Sequence, residues 1–204
     1  MEWISQNSDV LQVVLTALSA VVWLAYLQLL YLGYVRQRQA VIMIHHGAAE
    51  DDRARLIVSN MGAEPIYIIA ILARLTVDGE IFNASVIDRE ELSFEHLDTP
   101  LKRTNQGPLK SGEYLDAGSF GDLIWRARQR LGLSDDTTAD DIEITVGAAS
   151  GHASKLVVAK RKFSRQRGQD GTITYVPTTI LTRQVRSNWN RRKALRELNY
   201  VSED

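Results

Sequence analysis

The chain has 204 residues, a formal net charge of −1 and no cysteine, which excludes a disulfide framework and any thiolate metal site. The charge is unevenly spread. Residues 78–143 carry 15 acidic and 7 basic side chains, a net of −8, whereas residues 160–200 carry 11 basic and 2 acidic ones, a net of +9. A chain so dipolar either turns its basic end toward an anionic surface or folds it over the acidic middle.

Residues 1–9 form a short N-terminus with two acids, Glu2 and Asp9, and no base. The next 26 residues, 10–35, carry no charge, and only Gln12, Thr16, Ser19 and Gln28 interrupt them with neutral polar groups. At about 1.5 Å per residue such a helix is roughly 39 Å long, against a hydrocarbon core of roughly 30 Å, so the run is predicted to span a membrane. A cleaved secretory signal fits poorly: its first region is positive, whereas here it is acidic, and no small-x-small site follows the run. Residues 36–39 are a basic juxtamembrane linker. Arg36 and Arg38, set against Glu2 and Asp9, predict an N-terminus outside and a C-terminal domain in the cytoplasm. Trp3, Tyr31 and Tyr34 fall at the two boundaries, as interfacial aromatics do.

One face of this helix carries Gln12, Thr16, Ser19, Trp23, Tyr26, Leu30 and Gly33 at alternating spacings of four and three. That is the seam of a left-handed helix pair, where small and polar side chains hydrogen-bond between helices at about 0.6–2 kcal/mol per contact. The expected partners are therefore the lipid bilayer and a protein, a second copy of the span included.

Residues 40–183 read as one β-rich domain, with 169 residues beyond the span to build a core. Strand-like segments occupy residues 41–44 and 53–59, the second with Ala54, Leu56 and Val58 on one face. Asn60 to Gly62 is a turn. Pro65 opens an apolar stretch at 66–77 whose β-branched content favours strand, and Asp78-Gly79 is the strongest short hairpin signal. Residues 80–87 return as a strand, with Phe82, Ala84 and Val86 on one side. Residues 88–111, with Pro100, Gly107 and Pro108, read as an irregular connection, and 114–116 as a short strand.

Ser119 and Asp122 have capping-box spacing, and Phe120, Leu123, Ile124, Ala127 and Leu131 make the apolar stripe of a helix that Gly132 stops. Arg126, Arg128 and Arg130 lie toward its C-terminal end, where the helix dipole favours cations. An acidic linker at 134–141 leads to an alternating strand at 142–146. Residues 147–155 read as a loop, and 155–165 with 172–176 as a hairpin. The basic tail, 184–204, is predicted to be partly helical, with Asn188 as cap and Ala194, Leu195 and Leu198 apolar. Seven or eight short strands, one helix and no βα alternation predict an antiparallel β-sandwich of immunoglobulin-like type.

The pattern at 56–68, with Ser59, Asn60, Gly62, Pro65 and Tyr67, follows an apolar anchor and the Arg36 and Arg38 pair. In this combination the chain resembles bacterial single-pass inner-membrane proteins in which a short exposed N-terminus and one span precede a cytoplasmic β-rich domain. The resemblance covers roughly the first 90 residues and implies a location; it carries over no functional residue.

Candidate chemistry is sparse. His45, His46, His96 and His152 are the available nitrogen ligands, but adjacent His45 and His46 point to opposite faces of a strand, and no known metal spacing includes them. Asp135, Asp136, Asp140, Asp141 and Glu143 lack the alternation and central glycine of a calcium loop. Residues 147–155 lack the Walker ending, and Ser150 or Ser154 with His152 fixes no triad geometry. No catalytic residue, cofactor or metal ligand is assigned.

The basic side chains Lys160, Arg161, Lys162, Arg165, Arg167, Arg191, Arg192 and Lys193 are candidates for an anionic surface, at about 1 kcal/mol each beside anionic lipid. Nucleic acid is disfavoured, because stacking aromatics are few and no RNP motif is present. Trp125 lies about 140° from Phe120 at 100° per residue, outside the helix stripe and on the side of Arg128 and Gln129; it is either part of a partner surface or ordinary core covered by the connection at 88–111. The expectation is a membrane-anchored cytoplasmic interaction or scaffold module. The competing expectations are a membrane-tethered enzyme with a non-local active site, or a nucleic-acid-binding or metal-binding module.

Overall fold

The computed structural model describes residues 7–37, 39–47, 51–89, 103–150, 153–168, 171–186 and 197. The chain divides into two units, Met1–Gln39 and Ala40–Asp204. The first is built on one helix, α1, Ser8–Gln37. Its segment Ser8–Val35 has a mean hydropathy of 2.1, is wholly unburied, and is long and apolar enough to cross a membrane. A helix that is exposed and apolar around most of its circumference has no core-facing stripe, and the polar side chains on its one seam are uncharged.

The second unit runs β1 (Ile42–Gly47), β2 (Arg55–Asn60), β3 (Ile66–Val77), β4 (Glu80–Ser85), β5 (Gly107–Leu109), β6 (Tyr114–Ser119), α2 (Phe120–Leu131), β7 (Asp141–Ser150), β8 (Ala153–Arg167), β9 (Ile173–Pro177) and β10 (Arg183–Gln184). A small sheet has the order β1-β2-β6. A large one has the order β10-β8-β7-β3-β4, with β5 also beside β3 and β9 also beside β8. Among the described residues every strand pairing is antiparallel. Ile42, Ile44, Leu56 and Val58 of the small sheet share one core with Ile71, Leu75, Ile142, Ile144 and Phe163 of the large one, together with Phe120 and Leu123 of α2. Two open sheets around one core are consistent with a β-sandwich.

Local chemistry explains several boundaries. Asp78 and Gly79 have φ of 49° and 85°, the left-handed pair of a two-residue hairpin, and Val77 pairs with Glu80 across it. At α2, Asp122 N donates to Ser119 Oγ at 3.0 Å and Ser119 N donates to Asp122 Oδ2 at 2.9 Å, a complete capping box. Gly132 ends the helix at φ 63°. The buried Asn60 organises the turn after β2: its Nδ2 donates to Glu64 O at 2.8 Å and Leu109 O at 3.1 Å, and its Oδ1 accepts from Gly62 N at 3.0 Å.

The stretch 66–77 forms the expected strand; a register shift between Ile68 and Ala70 re-aims it, so that Ile68 and Ile71 both enter the main core, while Leu72 is buried on the other face against Val158. Other expectations are corrected. Residues 147–155 are not a loop: β7 runs to Ser150 and β8 starts at Ala153, with Gly147, Ala148 and Ala149 paired to Val158, Val157 and Leu156. Small residues there make room for large cross-strand neighbours. Arg126 is not a surface cation at the helix end but is fully buried. It lies about 60° from Leu123 on the helical wheel, at the flank of the apolar stripe.

Candidate interaction surfaces

Strand periodicity divides the basic run on β8 between two faces. Arg161 and Phe163 point into the protein, at 7% and 0% exposure. The Arg161 guanidinium donates to Ile44 O, to Thr179 O at 2.8 Å and to Ile180 O at 3.0 Å. It also lies 5.7 Å from the Phe163 ring centroid. Its burial lowers its proton affinity, and its bonds tie β1 to the segment 178–182; no surface is left for it to offer an anion.

The same segment is fastened elsewhere. Thr178 N and Oγ1 donate to Lys162 O at 3.0 and 3.2 Å, and Thr179 Oγ1 donates to Leu181 O at 3.0 Å. Ile44 N donates to Thr182 Oγ1 at 2.8 Å, and Thr182 Oγ1 lies 3.2 Å from Ile44 O. Ile42 N donates to Gln184 Oε1 at 3.3 Å, while Gln184 Nε2 donates to Ile42 O at 2.6 Å. Side chains thus satisfy the outward-facing backbone of β1 at Ile42 and Ile44, which blocks strand addition at those positions. Within this pinned loop Ile180 is 90% exposed and Leu181 71%.

On the outer face of the large sheet, Glu143 Oε1 lies 3.2 Å from Arg74 Nη1 and 3.5 Å from Lys160 Nζ. Glu197, from the basic tail, places its two oxygens 3.2 Å from Arg74 Nη2 and 3.2 Å from Lys160 Nζ. Burial pushes the Glu197 pKa up, but Lys160 and Arg74 outweigh it and hold the carboxyl below its ordinary range. Lys162 pairs with Asp141 at 2.8 Å and Arg165 with Asp140 at 2.7 Å. Three of the basic side chains, Lys160, Lys162 and Arg165, therefore pair with the acidic residues 140–143. Arg167, Arg183 and Arg186 are exposed; Arg191, Arg192 and Lys193 lie outside the described residues.

On α1, Thr16 Oγ1 donates to Gln12 O at 2.7 Å and Ser19 Oγ to Leu15 O at 2.8 Å. Both hydroxyl protons of the polar seam are thereby held within the helix itself. Trp23 and Tyr26 on the same face meet edge to face at 6.1 Å.

The remaining candidates are dispersed. Trp125 is 37% exposed, Gln129 is exposed, and Arg128 donates to Thr137 O. His46 lies edge-on to Phe163 at 6.3 Å. His45 holds Nδ1 buried without a hydrogen bond, and burial, with the charges of Arg161 and His46, lowers its pKa. His96 and His152 lie outside the described residues. Among the described residues no group of three or more histidine and acidic side chains is able to hold a metal.

Sequence reasoning missed three features. Arg126 Nη1 donates to Val86 O at 3.0 Å and to Ala117 O at 3.2 Å, and its Nη2 to Ala117 O at 3.2 Å. The tail contact of Glu197 and the exposed Ile180 and Leu181 were equally unforeseen; an adjacent aliphatic pair among threonines, with no period around it, was the available signal for the last. Comparison with protein-family models, with curated proteins and with solved structures finds no match to this chain.

Proposed function

We propose that this chain is a membrane-anchored interaction or scaffold module, held in a bacterial inner membrane by α1, with its N-terminus outside and its β domain in the cytoplasm. Anchoring is supported by the unburied apolar segment Ser8–Val35, and orientation by Glu2 and Asp9 against Arg36 and Arg38. The observation that carries the interaction reading is the pinned exposure of Ile180 and Leu181. A loop held by a buried arginine and three threonines cannot fold its aliphatic side chains away, so a second surface is what covers them.

The immunoglobulin-like assignment is part of the same proposal. The orders β1-β2-β6 and β4-β3-β7-β8 correspond to strands A-B-E and C′-C-F-G of that fold, with α2 in the connection from E to F.

Photo-crosslinking from position 181 of the full chain in its native membrane tests the function. Adducts from 181 that exceed those from a control at exposed Asp136 are expected; equal or absent adducts at 181 would remove the interaction surface.

A further inference from the structure

We infer that the Ile180–Leu181 loop is a wedge that enters the headgroup layer of an anionic bilayer. The inference rests on the anchored reading above and names the surface that the loop meets.

Three observations converge on lipid. The wedge is preorganised: the bonds from Arg161 and from Thr178, Thr179 and Thr182 hold the backbone that presents it, so the backbone adds little ordering cost to binding. Its flank is cationic, since Arg183 and Arg186 are exposed, no acidic residue occurs from Gly171 to Arg186, and the carboxylate of Glu197 is taken up by Arg74 and Lys160. Apolar insertion beside bases is the pattern of interfacial membrane contact. Its size also favours a bilayer: two aliphatic side chains fall far short of the roughly 800 Å² per partner that a stable protein interface buries. A tethered domain needs little intrinsic affinity, because a short linker keeps the effective concentration of the membrane surface near the millimolar range.

The chain has no cysteine, so Leu181→Cys in the full-length protein takes a single environment-sensitive fluorophore. The labelled protein is reconstituted into vesicles of phosphatidylcholine alone or mixed with phosphatidylglycerol, both containing a headgroup-depth nitroxide lipid. Quenching several-fold stronger in the anionic vesicles is expected. Ile180→Ser should weaken it, Arg183→Glu with Arg186→Glu should abolish the difference, and a label at Asp136→Cys, an exposed position, should show none. Equal quenching in both compositions would overturn the proposal, as would quenching that follows protein density rather than lipid charge, which would mark a second copy as the occupant. Alkaline extraction of the same vesicles separates the two claims. A chain that resists extraction with an unquenched 181 probe refutes the wedge alone; a chain that washes off refutes the anchor on which the wedge depends.

Discussion

The Arg126 guanidinium occupies the space that a side chain at residue 118 would fill: a Cβ on Gly118 would lie 2.5 Å from Arg126 Nη2. Gly118 also has φ of 109°, so glycine is required both by backbone conformation and by the buried cation beside it. Gly118→Ala is expected to cost several kcal/mol, about 1–3 kcal/mol from the backbone and the rest from displacing Arg126. Gly79, at φ 85° with nothing within 4 Å of its added Cβ, isolates the backbone part. Thermal unfolding of both variants measures the difference; equal losses would mean that the guanidinium yields freely.

Arg126 itself joins α2 to the backbone at Val86 and Ala117. Arg126→Met keeps much of the bulk but takes the donor from buried Val86 O, at about 1–3 kcal/mol for an unsatisfied group, and leaves Ala117 O only the 3.4 Å bond from Asn105 Nδ2. Lysine reaches one acceptor without the planar fork. Denaturant unfolding should rank arginine above lysine and lysine above methionine; a methionine variant as stable as the parent would contradict this role.

Glu197 gives the fold a dependence on pH. Its pKa is depressed from an ordinary 4.5 by Lys160 and Arg74 against the opposing effect of burial. A depressed carboxyl contributes stability above its unfolded pKa, and that contribution is lost as pH falls through the folded value. Glu197→Gln should therefore be less stable than the parent at neutral pH, by about 1 kcal/mol or less given partial solvent screening. The two should converge as pH drops below the ordinary carboxylate range. A difference independent of pH would show that Glu197 acts through packing instead.

The seam of α1 is tested by replacing Gln12, Thr16, Ser19 and Gly33 with leucine together. Because the Thr16 and Ser19 hydroxyls already donate within the helix, insertion should be unchanged. If the face associates, crosslinking between spans should fall several-fold. Unchanged crosslinking, or none in the parent, leaves α1 without a helix partner on this face.

What could be read from the sequence was local. The capping box of Ser119 and Asp122, the stop at Gly132 and the Asp78-Gly79 hairpin depend on residues within four positions of one another, and all three formed as expected. Features set by distant partners were not legible. β5 and β10 have three and two residues, too few for a period, and exist only because β3 and β8 are beside them. Arg126 and Arg161 looked like surface charge because their acceptors, at Val86, Ala117, Ile44 and Thr179, come from elsewhere in the chain. The basic run on β8 concealed its own division, since alternate residues face the core and the solvent. Ile180 and Leu181 escaped notice because nothing in a segment of five residues says that its backbone will be pinned with those side chains outward.

The central claim is that α1 anchors a cytoplasmic domain, and C-terminal reporter fusions to the full chain test it most directly. A reporter that works only in the cytoplasm should be active when fused after Asp204, and one that needs the periplasm should be silent there. Activity of the periplasm-dependent reporter at that position would reverse the topology and remove the cytoplasmic module from the account.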